Sequence, residues 1–125
     1  MRLIVLLMIL SSHGLFGQDY DSRKLLLFAG TGHDKQLKEQ LAILHADANG
    51  LKERQLVYAV VTRVTDSALY ARTMKKTDRF LMLLYGKDGG VKFTSTKPVS
   101  LQQLYGIIDS MPMRKEEIKQ QQRKQ

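Results

Sequence analysis

A short apolar run that stops at glycine does most to limit the folds open to this chain. Residues 24–29 read Lys-Leu-Leu-Leu-Phe-Ala and are followed by Gly30-Thr31-Gly32. A run this short, apolar on both faces and bounded by glycine, is typical of a central strand in a sheet covered by helices. The chain is therefore predicted to be an α/β domain rather than a helical bundle.

The spacing of apolar residues changes to that of a helix after Asp34. The next apolar residues recur at intervals of three and four and form one stripe: Leu37, Leu41, Leu44, Ala48 and Leu51. Asp34 suits the positive end of the helix dipole, and Asn49-Gly50 is predicted to cap the other end. The β-branched run at residues 56–61 predicts a second strand. A strand, helix and strand with short links predict a right-handed parallel crossover.

The second half of the chain predicts a short helix, a hairpin and a packing helix. Residues 66–76 suit the short helix, residues 80–85 a buried strand and residues 91–96 a half-exposed strand. Gly86-Lys87-Asp88-Gly89-Gly90 is a strong hairpin turn between these strands. Ser100-Leu101-Gln102-Gln103 matches a capping box that starts the last helix. The predicted order is β-α-β-α-β-β-α, the thioredoxin-like arrangement of a single α/β domain.

The first 17 residues have the composition of a signal peptide. Arg2 precedes eight apolar residues, Leu3 to Leu10, and small and polar residues follow up to Gly17. Cleavage is predicted after Gly17 or after Gly14. Eight apolar residues are too few for a bilayer, which requires roughly 20. The chain is therefore expected to be exported, to a periplasm or outside the cell, with no transmembrane span.

The basic charge of the chain is concentrated at its C-terminal end. The formal net charge is +8, and residues 113–125 contain five basic and two acidic residues. Residues 18–113 are assigned to the thioredoxin-like domain and residues 114–125 to a basic tail, expected to be a frayed helix or disordered. Outside the cytoplasm, this charge favours a protein or an anionic envelope component as partner, and not nucleic acid.

The chain has no cysteine, which excludes the chemistry most often associated with this fold. In thioredoxin-like folds the turn after the first strand presents a cysteine at a helix N-terminus, where the dipole lowers the thiol pKa. Here that turn reads Gly30-Thr31-Gly32-His33-Asp34. Disulfide exchange and peroxide reduction by cysteine are excluded. Either a pocket of backbone N–H groups remains to hold an anion, or the segment is an ordinary turn capped by Asp34.

Other catalytic, metal or cofactor sites find no support in the sequence. A zinc site needs three or four protein ligands, whereas His33 and Asp34 would point apart on a helix, and His45 flanks the apolar stripe. No serine lies in Gly-x-Ser-x-Gly, and Gly30-x-Gly32 lacks the third glycine of a dinucleotide fingerprint. No metal and no cofactor are predicted. Four basic residues form either a docking surface for an acidic partner or a solvated face: Arg72, Lys75, Lys76 and Arg79.

Four segments together resemble the domain of unknown function 4174 family. They are residues 23–29, the helix leading to Glu39-Gln40-Leu41, the hairpin at residues 86–92, and residues 108–114. The Gly-Lys-Asp-Gly-Gly hairpin and the final Met-Pro-Met-Arg are the most specific. The resemblance spans about Arg23 to Arg114.

This resemblance implies a thioredoxin- or peroxiredoxin-like fold. Similar domains occur as small exported bacterial proteins and within vertebrate matrix sushi-repeat and coiled-coil-domain proteins. The family has no settled activity, so the resemblance assigns no catalytic residue. The cysteine expected near residues 31–34 is absent, and Lys76-Thr77-Asp78-Arg79 replaces the cis-proline that thioredoxins place before the third strand.

The predicted function is that of an exported, non-catalytic binding module. Its binding residues are predicted to lie in the turn and at two basic positions: Thr31, Gly32, His33, Asp34, Arg79 and Lys87. The alternative is an enzyme with non-thiol chemistry at the same turn, which would require His33 and a carboxylate to converge in a concave pocket. A third hypothesis is attachment to membrane or polymer through the basic end.

Overall fold

The structure is a computed structural model that describes residues 21–76 and 78–124. The predicted signal peptide, residues 1–17, lies outside these described residues. Across the described ranges, no helix is both long enough and apolar enough to cross a membrane.

Four strands and five α-helices make up the described part of the chain. In order they are β1 (Arg23–Phe28), α1 (Asp34–His45), α2 (Ala48–Glu53), β2 (Leu56–Val61), α3 (Ser67–Thr73), β3 (Leu81–Tyr85), β4 (Val91–Ser95), α4 (Leu101–Asp109) and α5 (Pro112–Arg123). One turn of 3-10 helix, Met74–Lys76, follows α3.

The strands form one mixed sheet in the order β2-β1-β3-β4. Strand β1 is parallel to β2 and antiparallel to β3, and β3 is antiparallel to β4. At the centre, Leu26 pairs with Ala59 of β2 on one side and with Leu83 of β3 on the other. This order and these directions confirm the α/β class predicted from the sequence and are consistent with a thioredoxin-like fold.

Strand β1 is buried on both faces, as its unbroken apolar run predicts. Because successive side chains of a strand point to opposite faces, Leu25 and Leu27 enter one core while Leu26 and Phe28 enter another. Helices α1, α2 and α4 cover the first core and α3 covers the second. Full burial of one such side chain stabilises the fold by about 1.5–3 kcal/mol, so β1 anchors both layers of helices.

The apolar stripe predicted as one helix is divided into two. Helix α1 ends at His45, and Asp47 begins α2 by accepting a hydrogen bond from the Gly50 amide at 3.0 Å. Asn49 and Gly50, predicted to cap the helix end, therefore lie inside α2. The prediction was wrong because the first helix already ends at His45, and the Asp47 carboxylate makes a good N-cap that starts a new helix before Gly50.

The hairpin and the start of α4 follow their local sequence signals. Gly89 has a φ of 86°, as expected for an Asp-Gly turn. The Ser100 hydroxyl accepts a hydrogen bond from the Gln103 amide at 3.1 Å, which is the first half of the predicted capping box. Both predictions, the hairpin turn between β3 and β4 and the start of α4, are confirmed.

Helix α5 occupies most of the segment predicted as a basic tail. It begins at Pro112, a residue well suited to the first helical position, and ends at Arg123. Arg114 is only 2% exposed, and Glu117 forms an ion pair with Arg23 at 3.0 Å. The first two turns of this segment pack against the domain, whereas residues 119–124 are exposed. Oppositely charged side chains elsewhere in the chain pair with Arg114 and Glu117.

Candidate functional site

The turn after β1 borders a cleft at the end of the sheet where the sequence analysis places the site. The cleft has a volume of about 400 Å³. Its walls come from the turn, from α3 and from the loop before β3. The lining residues are Gly30, Thr31, Arg63, Ser67, Tyr70, Ala71, Met74 and Asp78.

Gly30 allows the turn and the loop before β3 to approach each other closely. Its amide donates a hydrogen bond to the Arg79 carbonyl at 3.4 Å. A methyl group on Gly30 would lie 1.7 Å from the Asp78 carbonyl oxygen, so no larger residue fits without backbone movement. The described residues contain no cis peptide bond, and Asp78 and Arg79 stand at the position of the cis-proline loop.

Tyr70 forms one wall of the cleft and joins α3 to the sheet. Its hydroxyl donates a hydrogen bond to the Ala29 carbonyl at 3.0 Å. The Arg63 guanidinium carbon lies 5.5 Å from the centre of the Tyr70 ring, within the range of a cation–π contact. The Tyr70 hydroxyl therefore already has a hydrogen-bond acceptor, and the Arg63 side chain lines the cleft.

The predicted turn residues do not all face this cleft. Thr31 lines it, and Gly32 has a φ of 82° in the turn. His33 occupies the N-cap position of α1 without a side-chain capping hydrogen bond, and Asp34 is the first helical residue. Neither His33 nor Asp34 lines the cleft. The cap position thus belongs to His33, and the Asp34 carboxylate offsets the positive end of the helix dipole.

The two basic residues of the predicted site lie at opposite ends of the sheet. Arg79 adjoins the turn through its hydrogen bond with Gly30. Lys87 lies in the β3–β4 hairpin, where its ammonium is 2.8 Å from the Glu117 carboxylate and also contacts Gln55. The structure does not bring Lys87 to the turn, because the whole of β3 separates it from Arg79.

An ionic network near this hairpin was missed by the sequence analysis. Arg23 donates to both carboxylate oxygens of Glu117, at 3.3 and 3.0 Å. Arg114 pairs with Asp109 at 3.1 Å and with Glu53 at 3.0 Å. A further pair, Arg114 with Glu117 at 3.6 Å, connects these groups into one network of four basic side chains and three carboxylates: Arg23, Arg54, Lys87 and Arg114 with Glu53, Asp109 and Glu117. The only sequence signal is that Arg23 and Arg114 are the first and last residues of the segment that resembles the family.

The network favours the ionised forms of Glu117 and Asp109. Burial tends to raise the pKa of Glu117, but hydrogen bonds and charge from Arg23 and Lys87 outweigh it and lower the pKa below its ordinary value. Asp109 behaves in the same way: burial tends to raise its pKa, but hydrogen bonds and charge from Arg54 and Arg114 outweigh burial and lower the pKa below its ordinary value. These groups are paired with one another, so the network serves first to attach α5 to the domain.

The polar side chains that line the cleft are three hydroxyl groups, one guanidinium and one carboxylate. Nucleophilic catalysis requires a hydroxyl or similar group within about 3 Å of a base. Among the described residues that line the cleft there is no histidine, and the Tyr70 hydroxyl is bonded to a backbone carbonyl. No group of three or more metal-ligating side chains is found in residues 21–76 and 78–124.

The sheet and its cysteine-free turn define a thioredoxin-like domain without a thiol centre. More specifically, the chain belongs to the family described as domain of unknown function DUF4174, whose model matches residues 18–117. The match confirms the resemblance and reaches Glu117, the carboxylate that pairs with Arg23. Among curated proteins, no relative matches the chain.

Proposed function

We propose that this chain is an exported, non-catalytic binding module for a protein or an anionic envelope component, with the cleft after β1 as its binding site. The observation that supports the proposal is the lining of that cleft. It combines one guanidinium, one carboxylate, hydroxyl groups and apolar surface in about 400 Å³, at the place where the fold usually performs thiol chemistry. This volume is within the usual range for ligand sites.

The chemistry of the cleft favours a protein segment over a uniformly anionic polymer. Arg63 and Asp78 contribute opposite charges, and Asp34 already offsets the positive end of α1. Tyr70 and Met74 add aromatic and flexible apolar surface, and tyrosine, methionine and arginine are enriched at protein interfaces. One or two side chains of a partner protein therefore match this cleft best.

A cleft-filling variant tests the binding site. Ala71 lines the cleft, whereas Ala68 is exposed on the same helix and does not line it. Immobilised wild-type chain should retain a specific partner from the envelope fraction of the source cells, identified by mass spectrometry. Ala71→Trp should reduce that retention at least about tenfold, and Ala68→Trp should leave it within about twofold. Equal retention by all three proteins, at equal thermal stability, would reject the cleft as the site.

Alanine substitutions in the turn separate its predicted members. Thr31→Ala should weaken binding of the same partner, because Thr31 lines the cleft. His33→Ala and Asp34→Ala test whether the partner extends over the start of α1. If all three variants bind like wild type, the turn is not part of the binding surface.

Export is tested independently of binding. Residues 1–20 are fused to a reporter enzyme that becomes active only after it crosses the membrane. The reporter should be active, and its new N-terminus should follow Gly14 or Gly17. Leu6→Arg interrupts the apolar run and should abolish activity. An uncleaved, inactive wild-type fusion would contradict the proposal.

A further inference from the structure

A second cleft lies at the other end of the sheet, where the β3–β4 hairpin meets the start of α5. We propose that this cleft binds a phosphate monoester. Its volume is about 260 Å³, and its lining residues are Arg23, Gly86, Lys87, Asp88, Lys92, Met111, Pro112 and Met113. The two segments most specific to the family resemblance, the glycine hairpin and the Met-Pro-Met-Arg segment, therefore form its walls.

Helix α5 presents an uncapped N-terminus to this cleft. Met111 is the N-cap residue and makes no side-chain capping hydrogen bond, and the first turn contains no acidic residue. Pro112 has no amide hydrogen, and the amides of Met113 and Arg114 have no acceptor within the helix. The positive end of a 12-residue helix is thus left uncompensated by its own sequence. Such a helix end favours a negatively charged ligand.

Arg23 provides a second, independent observation in favour of an anion site. Its side chain is 1% exposed and lines the cleft. Both terminal nitrogens are bonded, one of them to the Arg54 carbonyl and both to Glu117. Its Nε, however, is buried and has no hydrogen-bond partner among the described residues. A buried charged donor without an acceptor is unfavourable, and an oxyanion in the adjoining cleft supplies that acceptor.

The local charge also favours an anion. The ionic network that includes Arg23 and Lys87 has one more basic side chain than it has carboxylates. Lys92 is 38% exposed and lies 2.8 Å from Asp88. Its stem lies over Gly86, where a methyl group would be 2.7 Å from the Lys92 Cε. Because an exposed pair of this kind is weak, a doubly charged ligand can compete with Asp88 for the ammonium group.

A phosphate monoester fits these donors better than a carboxylate does. Near neutral pH it has close to two negative charges and three acceptor oxygens. The cleft offers donors on three sides: the first turn of α5, Arg23 and the lysines of the hairpin. A volume of about 260 Å³ suits a single headgroup and excludes a long stretch of polymer. The monoester can belong to a soluble molecule or to a lipid headgroup.

The test uses the full chain and titrates it with inorganic phosphate by calorimetry at pH 7.5 and low salt. Met113 is 52% exposed at the mouth of the cleft, so Met113→Glu adds a carboxylate where the anion would lie. It should weaken phosphate binding at least about tenfold, and Met113→Gln should change it less than about twofold. A glutamate in the first helical turn favours the helix, so the thermal midpoint of Met113→Glu should equal or exceed that of wild type.

A second pair of variants tests the lysine. Lys92→Gln should weaken phosphate binding roughly tenfold, and Lys97→Gln, two residues beyond the end of β4, should leave it unchanged. Glycerol 3-phosphate and vesicles containing phosphatidic acid distinguish the soluble from the lipid source, with phosphatidylglycerol vesicles as the diester control. Selective binding to either monoester supports the site. Absence of saturable phosphate binding, or wild-type affinity in Met113→Glu, overturns it.

Discussion

Arg114 shows how a single side chain can attach a helix whose own sequence is almost entirely polar. Helix α5 reads Pro-Met-Arg-Lys-Glu-Glu-Ile-Lys-Gln-Gln-Gln-Arg and lacks an apolar stripe. Arg114 is nevertheless 2% exposed, because Asp109 and Glu53 pair with its guanidinium group. A charge at this depth is tolerated only when its partners are present, since unpaired burial is strongly unfavourable. Position in the fold, rather than residue type, makes this arginine a core residue.

Acid should weaken the attachment of α5 through Glu117. Because the pKa of Glu117 in the folded state lies below its ordinary value of 4.5, ionised Glu117 stabilises the fold. This contribution is fully present above the unfolded-state pKa and is lost as the pH falls through the folded-state pKa. The free energy of unfolding in urea should therefore be flat from about pH 8 to 5 and fall below that range.

Glu117→Gln is the matched control for the acid effect. It should be less stable than wild type at pH 7, because Arg23 and Lys87 lose their charged partner. Its stability should also fall less steeply between about pH 5 and 3. Parallel acid slopes for the two proteins would show that Glu117 is not the titrating group.

At the scale of elements, Gln40 joins α1 to the segment that precedes α4. Its side chain is fully buried, and its amide group donates to the Val99 carbonyl at 3.0 Å and accepts from the Val99 amide at 2.7 Å. Gln40 thus satisfies both backbone groups of Val99, as a neighbouring strand would. Sequence periodicity predicted the apolar side of α1 but not this contact, because Gln40 and Val99 are 59 residues apart.

Replacing Gln40 should destabilise the domain far more than replacing its neighbour. Gln40→Met leaves the buried N–H and C=O groups of Val99 unpaired and should lower the free energy of unfolding by roughly 3 kcal/mol. Glu39 is exposed, and Glu39→Met should change the free energy of unfolding by less than about 0.5 kcal/mol. Urea denaturation of the three proteins measures the difference. Equal losses would mean that the amide pairing contributes nothing specific.

At the scale of the whole molecule, the two clefts are separated by the length of the sheet. One lies where β1 ends and the other where β1 begins, beside Arg23. Neither cleft shares a lining residue with the other. Binding at one end therefore does not require a group from the other end, and each proposal can be tested with the second site intact.

Two truncations separate the packed part of α5 from its exposed end. A chain ending at Ile118 keeps Arg114 and Glu117, and should lose less than about 1 kcal/mol of unfolding free energy. A chain ending at Ser110 removes both Arg114 and Glu117, so Arg23, Asp109 and Glu53 lose ion-pair partners, and the chain should lose at least about 3 kcal/mol. Equal stability of the two chains would contradict the role of the network.

The chain ending at Ile118 also tests attachment through the basic end. The chain ending at Ile118 lacks Lys119, Arg123 and Lys124 but retains the packed turns of α5. If the basic end attaches the protein to membranes, this chain should bind anionic vesicles more weakly, with a reduced dependence on salt. Unchanged binding would leave the clefts as the sites of interaction.

The sequence alone determined the features whose causes lie within a few neighbouring residues. The unbroken run of β1, the period of α1 and the Asp-Gly turn before β4 predict the α/β class and the order of these elements along the chain. The lack of cysteine likewise excluded thiol chemistry from this chain without reference to any coordinate.

Only the tertiary structure decided which distant residues meet. Arg23 and Glu117 are 94 positions apart, and no periodicity or turn signal connects them. The same folding separated Lys87 from Arg79 and drew Lys87 toward Glu117. Ion pairs and clefts depend on how the elements pack in three dimensions, so their positions follow from the path of the whole chain and not from any local stretch of it.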